Sequence, residues 1–420
     1  MGASSGQEQT EASGLKIIEC SDSFLPIVDG VGRVVTTYSR ILAERGHEVY
    51  VVCPMSDAGY RGNLPYEIVD FSSMVSMRRV PQYKAGVAGL DPHYMKRIEQ
   101  ITPDIIHVHS PGAAGFEGVR LAKKYGVPLI GTFHSKFYDD MYNMTGSRAI
   151  ARVGASAIGE FFNGCDETWT VSRFAAKELE SYGFRNAVRI VHNGTNARFS
   201  EPTPAAEVAE KLSLNEAPVL LFVGQIDRKK NIPLILEACA LVKEKGKRFQ
   251  MVFAGQGRDL ERFREKAAQL EIADVVRFTG HIDDEHLLAG LYKRALLFLF
   301  PSLYDTAGLV VTEAASMGTP SLVVRNSAPA EFITNGETGL LCEENADSLA
   351  AAVCRALDDP ERIAQMGRQA QIQMPRPWEK VIDEVEKLYD QIADERRAVG
   401  SRGFRRITDR VLDMVGDVTQ

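Results

Sequence analysis

The chain has 420 residues, 45% hydrophobic and 25% charged, which is the composition of a packed globular protein rather than a disordered one. A single hydrophobic core stops growing well below this length, so we expect two domains of roughly 200 residues each. The formal net charge of −7 argues against nucleic acid as a partner.

The cysteines and the N-terminal residues indicate in which cellular compartment the protein is expected. The six cysteines are scattered through apolar stretches without a Cys-x-x-Cys pair, which predicts reduced, buried thiols and a cytoplasmic protein. Residues 1–14 are small and polar, and we expect a flexible tail there rather than a secretion signal. The longest apolar runs are far shorter than the about 20 residues that cross a bilayer. The sequence therefore favours a protein that is soluble or at most peripheral to a membrane.

Strand-like and helix-like segments alternate from Leu15 onwards. Leu15–Glu19 and Val49–Cys53 are short apolar runs typical of strands, and apolar residues recur at helical spacing between Val31 and Leu42. The alternation continues through four further strand-like runs: Ile105–His109, Val127–Gly131, Glu167–Val171 and Val188–Val191. This order predicts a mostly parallel sheet with helices on both faces. We therefore predict a doubly wound, Rossmann-like α/β domain over residues 15–198.

A second series of strands follows a stretch rich in proline, alanine and glutamate, which predicts an interdomain linker over residues 199–217. The later strand-like runs are Val219–Val223, Phe249–Ala254, Val275–Thr279, Leu296–Pro301 and Ser321–Val324. They predict a second doubly wound domain over residues 218–375. Open α/β sheets bind ligands at the carboxyl ends of their strands, so we expect the chemistry in a cleft between the two domains.

Two acids bracket a predicted helix start in the second domain. The segment PSLYDTAGLVVTEAASMGTP, from Pro301 to Pro320, runs from an apolar strand through Asp305 into a helix that carries Glu313. We expect the helix to begin near Thr306 to Gly308. Its free amides and positive dipole end would suit a diphosphate at Thr306, Ala307, Gly308 and Leu309. Asp305 would reach a sugar and Glu313 a ribose diol. For a single helix of this kind, the alternative is a capping Asp and an exposed Glu.

Glycines and cations follow other strands of the second domain. The strand that ends at Gly224 is followed by Arg228, Lys229 and Lys230. Cations placed there would point into the cleft and neutralise a departing diphosphate, although such a run by itself is more often a solvated loop. Two later strand ends carry Gly255 and Gly280-His281-Ile282, whose glycines permit close approach of the backbone to a nucleotide.

Together these motifs resemble the retaining glycosyltransferases of family four, which have the GT-B fold of two Rossmann-like domains facing a cleft. The resemblance implies transfer of a hexose from a nucleoside-diphosphate sugar, with UDP favoured over GDP. It implies that Asp305 contacts the donor sugar, Glu313 the ribose and Lys230 the diphosphate. Gln225 stands where the family usually has Arg, so the missing charge would come from Arg228 or Lys229, or donor turnover would be weak.

The first domain carries matching features. Gly30 and Gly32 follow the first strand and resemble the family's N-terminal glycine loop, and their spacing is not the GxGxxG of dinucleotide binders. His134 corresponds to the family's cleft histidine near the donor sugar. The sequence contains no Asp-x-Asp pair, with which other glycosyltransferases hold a divalent ion, so we predict no required metal or other cofactor. A helix over residues 376–395 resembles the one that crosses back onto the first domain in this fold.

The expected site residues are drawn from both domains. The catalytic ones are His134, Lys230 and Asp305, and the donor-binding ones are Gly30, Gln225, Arg228, Lys230, Gly255, His281, Ile282, Asp305, Thr306, Ala307, Gly308, Leu309 and Glu313.

The acceptor is less constrained and would be a lipid or a carbohydrate. The segments Ser23–Gly30 and His134–Asp140 are more loosely similar to enzymes that glucosylate diacylglycerol at a membrane surface. Arg78-Arg79 and a basic amphipathic tail over residues 396–420 would contact the inner face of the cell membrane, the alternative being a last helix packed on the chain itself. Two other functions stay open: a non-catalytic nucleotide-sugar-binding protein, and a nucleotide-sugar epimerase of the same fold.

Overall fold

The computed structural model describes residues 14–26, 29–59, 61–73, 75–76, 84–195 and 202–399. The predicted N-terminal tail lies outside these residues except for Gly14. The predicted membrane contact at Arg78-Arg79 and most of the predicted tail over residues 396–420 also lie outside them.

The first part of the chain builds a seven-stranded parallel sheet. Its strands and a small antiparallel pair are β1 (Lys16–Cys20), β2 (Glu48–Cys53), β3 (Glu67–Asp70), the pair β4 (Val75–Ser76) and β5 (Lys84–Ala85), β6 (Ile105–Val108), β7 (Leu129–Phe133), β8 (Glu167–Thr170) and β9 (Val188–Ile190). The order across the sheet is β3-β2-β1-β6-β7-β8-β9. β6 and β7 are buried along their whole length, as expected of strands covered on both faces.

The second part builds a six-stranded parallel sheet. Its strands are β10 (Val219–Val223), β11 (Gln250–Ala254), β12 (Val276–Gly280), β13 (Ala295–Phe300), β14 (Ser321–Val324) and β15 (Gly339–Cys342). Their order is β12-β11-β10-β13-β14-β15. The predicted architecture of two parallel α/β sheets is therefore confirmed. β3 and β15, each an edge strand of four residues, were not predicted.

Helices cover both sheets and supply the rest of the core. In the first part they are α1 (Gly30–Glu44), α2 (Pro92–Ile98), α3 (Ala113–Tyr125), α4 (Phe137–Thr145), α5 (Arg148–Asn163) and α6 (Arg173–Ser181). The later helices are α7 (Ala205–Lys211), α8 (Ile232–Glu244), α9 (Leu260–Gln269), α10 (Glu285–Arg294), α11 (Leu309–Ser316), α12 (Ala346–Asp358), α13 (Pro360–Gln373) and α14 (Trp378–Val399). In the described residues, all six predicted buried cysteines are buried and unbridged.

Two segments connect the two parts of the chain, one in the middle of the sequence and one near its end. α14 packs against the first part of the chain, where Trp378 contacts Tyr38 of α1 edge to face at 5.9 Å. The expected linker over residues 199–217 contains α7, whose Val208 is buried beside Gly290 of α10. No helix in the described residues is long and apolar enough to span a membrane.

Candidate functional site

The carboxyl ends of the two sheets meet across a cleft that polar contacts hold together. Thr306, after β13, donates its hydroxyl to the backbone oxygen of His134, which follows β7. Ser172, after β8, donates to the backbone oxygen of Thr306 at 2.6 Å. Glu331 accepts from the backbone nitrogen of Arg173 at 2.9 Å and so caps the N-terminus of α6 from the other domain. The loop that follows Asp305 therefore lies directly against the first domain.

This loop presents a row of backbone amides. α11 begins at Leu309, slightly later than the sequence predicted, because Gly308 precedes it in the left-handed conformation with φ +61°. The amide of Val311 donates back to the oxygen of Gly308 at 2.8 Å. In the described part of the chain, none of the amides from Thr306 to Val310 donates to a protein acceptor. Such a cluster of free N–H groups at a helix N-terminus is a ready anion site.

Lys230 lies beside that loop. Its ammonium donates to both carboxylate oxygens of Asp305, at 2.7 and 2.9 Å, and only 15% of the Lys230 side chain is exposed. The position of the ammonium is set by a short 3₁₀ turn that Asp227 caps through its bond to Lys229 N at 2.9 Å. The structure therefore joins Lys230 and Asp305 in an ion pair beside the amide row, a pairing that the sequence did not predict.

The other candidate cations are placed differently. Lys229 forms an ion pair with Asp140 of α4 and lies 4.3 Å from the Tyr304 ring centre, so its charge already has a partner in the first domain. Arg228 and Gln225 are exposed. No hydrogen bond or ion pair in the described residues joins either of them to Lys230 or Asp305.

Glu313 is buried rather than exposed, which removes the simplest alternative reading of this acid. Its side chain is 3% exposed. Tyr292 donates to one carboxylate oxygen at 3.3 Å, and the guanidinium of Arg33, from α1 of the first domain, lies 3.7 Å from the other. Neither Arg33 nor Tyr292 was singled out from the sequence, because only the tertiary fold brings them to Glu313.

Three glycine loops close one side of the site. A Cβ at Gly255 would come within 1.9 Å of the Gly224 oxygen, and Gly255 itself has φ +145°, so only glycine fits there. The amide of Gly255 donates to the oxygen of Gly280 at 2.8 Å. The next residues differ in exposure: His281 is about half exposed and lies 3.3 Å from Asp283, whereas Ile282 packs against the core.

The first domain contributes its own helix start and the cleft histidine. Gly30 is the first residue of α1, and Asp29 caps that helix by accepting from Gly32 N at 2.7 Å. His134 is 8% exposed, and burial lowers its pKa well below the usual value for histidine. Its Nε2 lies 3.0 Å from Nδ1 of His109. Sequence reasoning missed His109, although the spacing of His107 and His109 places them on one face of a strand.

A group of potential metal ligands lies beneath His134. Nitrogen or oxygen atoms of Glu19, His107 and His109 lie within 4.8 Å of one another, and all three residues are buried. His109 Nε2 is 2.6 Å from Glu19 Oε2, which is a hydrogen-bond distance rather than the spacing of two ligands around one ion. The remaining atoms of the group bond to other side chains. The described residues of this cluster therefore form a hydrogen-bonded network rather than a metal centre.

Comparison with known proteins identifies the family of this chain. Residues 28–199 match the family model "Glycosyltransferase Family 4", and residues 205–373 match "Glycosyl transferases group 1". Glycogen synthase of Mycobacterium tuberculosis is 26% identical over 402 residues, covering 89% of this chain and 94% of that protein. Alpha-monoglucosyldiacylglycerol synthase of Streptococcus pneumoniae is 26% identical over 344 residues, covering 80% and 77% respectively.

Solved structures share the fold. Sucrose-phosphate synthase from Thermosynechococcus elongatus superposes with a TM-score of 0.73 at 22% identity, covering 90% of this chain and 99% of that one. HepE of Anabaena in complex with UDP and glucose gives 0.72 at 14% identity, covering 90% and 100%. Because the two family models together span most of the chain and the fold agrees, the protein belongs to the family 4 glycosyltransferases, has the GT-B fold and uses a nucleotide-sugar donor.

Proposed function

We propose that this protein is a retaining hexosyltransferase that uses a UDP-sugar, requires no metal and transfers the sugar to a membrane glycerolipid. The main support for the proposed donor site is the row of unpartnered amides from Thr306 to Val310 beside the Lys230 ammonium. The amides would bind the diphosphate, and Lys230 would offset the negative charge that grows on it as the sugar departs. Glu313 would accept hydrogen bonds from the ribose hydroxyls.

The same arrangement supports the proposal that no metal is required. A divalent ion on a diphosphate is held by carboxylates, and the acid nearest the amide row, Asp305, is already paired with Lys230. Backbone amides and an ammonium would do the work of the ion. We expect transfer to be unchanged when EDTA removes divalent ions, and a loss of activity that Mg²⁺ or Mn²⁺ restores would contradict the proposal.

Retention is proposed from the resemblance of the Asp305 and Glu313 pair to the family motif. The anomeric configuration of the product decides it, and NMR spectroscopy of the first transferred sugar measures this directly. An α-linked product from an α-linked donor supports retention, and a β-linked product refutes it.

UDP is favoured as the nucleotide because HepE, which shares the fold, was solved with UDP and glucose. Other relatives are described as GDP-mannose-dependent, which makes GDP the competing nucleotide. A thermal-shift screen against UDP-glucose, UDP-galactose, ADP-glucose and GDP-mannose separates them, since a ligand that binds only the folded state raises the melting temperature. We expect the largest shift with a UDP-sugar.

Glu313 offers a sharp test of the donor geometry. If its carboxylate binds the ribose diol, the Glu313→Ala variant should lose affinity for UDP but lose much less for 2′-deoxy-UDP, which already lacks one partner. Hydrogen bonds to a charged group contribute about 1.5–3 kcal/mol, so the UDP affinity should fall by about 10- to 150-fold. Equal losses for both nucleotides would place the ribose elsewhere.

A membrane acceptor is supported by an exposed surface on the α4–α5 hairpin. Exposed apolar side chains concentrate there: Tyr142, Met144, Ile150 and Val153, the last being 72% exposed. Arg148 and Arg152 are exposed beside them and form no ion pair in the part of the chain that the structure describes. Exposed apolar and cationic side chains on one helical hairpin suit an anionic lipid surface. Asp140 of α4 pairs with Lys229, so this hairpin borders the cleft.

Vesicle sedimentation tests this surface. We expect binding to vesicles of phosphatidylglycerol and phosphatidylcholine, weak binding to phosphatidylcholine alone, and loss of binding in the double variant Ile150→Glu, Val153→Glu. Ile372→Glu is the matched control, because Ile372 is 76% exposed but lies on α13 of the other domain. Equal binding by all variants, or a dimer in place of vesicle binding, would refute the proposed membrane contact.

The two other functions that the sequence left open predict different outcomes. An epimerase would convert the nucleotide-sugar donor to its epimer without an acceptor, and a non-catalytic binder would release no nucleotide with any acceptor. The family assignment supports transfer over both. Acceptor-dependent release of UDP in the presence of diacylglycerol vesicles is the result that we expect.

A further inference from the structure

A line of three buried polar side chains runs beneath the cleft. His134 Nε2 lies 3.0 Å from His109 Nδ1, and His109 Nε2 lies 2.6 Å from Glu19 Oε2. The three residues lie on or just after β7, β6 and β1, which are neighbours in the sheet. Glu19 is fully buried and His109 is 2% exposed. The line therefore connects the cleft histidine to a carboxylate in the core of the domain.

A second branch begins at the same carboxylate. Tyr389 of α14 donates its hydroxyl to Glu19 Oε1 at 3.0 Å. The Tyr389 oxygen lies 2.6 Å from His107 Nδ1, and His107 Nε2 lies 2.6 Å from the hydroxyl oxygen of Thr132. This branch ends in the protein and does not reach the cleft, whereas the branch through His109 ends at His134.

The hydrogens of the second branch have a single consistent arrangement. Burial lowers the pKa of His107 well below its usual value, so this ring is neutral and carries one N–H. Because Tyr389 gives its hydrogen to Glu19, its oxygen accepts from His107 Nδ1–H. The other ring nitrogen of His107 then accepts from Thr132. Every polar atom of the branch is satisfied, and both branches meet at Glu19.

The branch through His109 determines which ring nitrogen of His134 carries the hydrogen. Glu19 accepts at both oxygens, so the hydrogen between Glu19 and His109 belongs to His109 Nε2. A His109 ring that carries a single hydrogen, at Nε2, accepts at Nδ1, and His134 Nε2 must then carry the hydrogen between the two histidines. This leaves His134 Nδ1 without a hydrogen, and no described residue donates to it.

We propose that Glu19 and His109 are positioning residues that hold His134 in the tautomer whose Nδ1 accepts a hydrogen bond from a sugar hydroxyl in the cleft. The backbone oxygen of His134 bonds to Thr306, which places this histidine next to the amide row. The use of Nδ1 in transfer rests on the proposed function. The tautomer itself does not, because it is a property of the unliganded protein.

Nitrogen NMR of the unliganded protein with ¹⁵N-labelled histidine decides the tautomer. We expect His134, assigned by the loss of its signals in His134→Gln, to show a pyridine-type Nδ1 and a pyrrole-type Nε2 at pH 7.5. In His109→Gln, His134 loses its fixed acceptor and should populate both tautomers. A pyrrole-type Nδ1 in the wild-type protein would overturn the proposal. This spectrum tests the tautomer even if variants of Glu19 or His109 fail to fold.

Kinetics test the effect on transfer, measured as UDP release from UDP-glucose, or from the nucleotide sugar that gives the largest thermal shift. For Glu19→Gln and His109→Gln we expect kcat to fall by about 10- to 100-fold, with KM for the donor within about threefold. His107→Gln is the matched control, because His107 is equally buried and has two side-chain partners but lies on the other branch. Its kcat should stay within about threefold.

These outcomes distinguish a failure of the positioning role from a failure of the proposed transferase function. Equal losses of kcat in all three variants, or an unchanged kcat in His109→Gln, would show a merely structural network and overturn the positioning role. If the wild-type protein turns over no nucleotide sugar, the proposed function is wrong. The NMR spectrum would still test the tautomer of His134, because that measurement needs no substrate.

Discussion

The Lys230→Met substitution gives the most direct test of the diphosphate site. The change removes the ammonium that bonds to both Asp305 oxygens but keeps the length and apolar character of the side chain. A hydrogen bond to a charged group contributes about 1.5–3 kcal/mol, which corresponds to about 10- to 150-fold in the affinity for UDP. The loss of one preorganised charge-stabilising donor costs about 100- to 1000-fold in kcat. We therefore expect both donor binding and turnover to suffer, with turnover affected more.

The structure supplies a matched control one residue away. Lys229 carries the same charge on the same 3₁₀ turn, but its ammonium pairs with Asp140 of the first domain. Lys229→Met should change UDP affinity and kcat by less than about tenfold. Binding is measured by isothermal titration with UDP, and turnover by nucleotide release with and without acceptor. A Lys230→Met enzyme within about threefold of wild type, or equal losses in both variants, would refute the placement of the diphosphate against Lys230.

Three further outcomes follow from burial and backbone geometry. Gly255→Ala should fold less stably and lose nucleotide binding, because its Cβ would meet the Gly224 oxygen; wild-type UDP affinity at an unchanged melting temperature would contradict this. Burial lowers the pKa of His107 and His134 well below 6.5, so below that pH only the unfolded chain takes up these protons. Urea unfolding should therefore show stability that is full above about pH 7 and falls below pH 6.5 by up to about 1.4 kcal/mol per pH unit for each histidine. His107→Gln should shrink that fall, and an undiminished one would refute its cause. Burial also raises the thiol pKa of Cys53 to about 12, so we expect no native cysteine to react with a thiol reagent at pH 8 until the protein unfolds; rapid native labelling would contradict this.

The local sequence was enough to single out much of the proposed donor site. Asp305 and the amides after it follow directly from a strand that runs into a glycine-bearing helix start, and each of these features depends only on neighbouring residues. The exact start of α11 was not predictable, because Gly308 adopts its left-handed conformation beside Pro329, where a Cβ at residue 308 would come within 3.3 Å of the proline.

The surroundings of Glu313 and the partners of the two lysines could not be predicted from neighbouring residues. Glu313 is one of many helical acids in the sequence, and only the packing of Tyr292 and the approach of Arg33 from the other domain show it to be buried and partnered. Lys229 and Lys230 are neighbouring residues of the same type, but in the fold Lys229 forms an ion pair with Asp140 and Lys230 forms one with Asp305.

The local sequence pattern predicted the two parallel sheets, several of the helices and the loops in which we propose that the donor binds, because apolar periodicity and turn residues encode structure over short distances. Only the tertiary structure decided which strands became neighbours, and hence that β1, β6 and β7 bring Glu19, His109 and His134 into one line. Tyr389 joins them from near the end of the chain, since α14 returns across the first domain. Contacts between residues so far apart in sequence depend on strand order and helix packing, which no local pattern specifies.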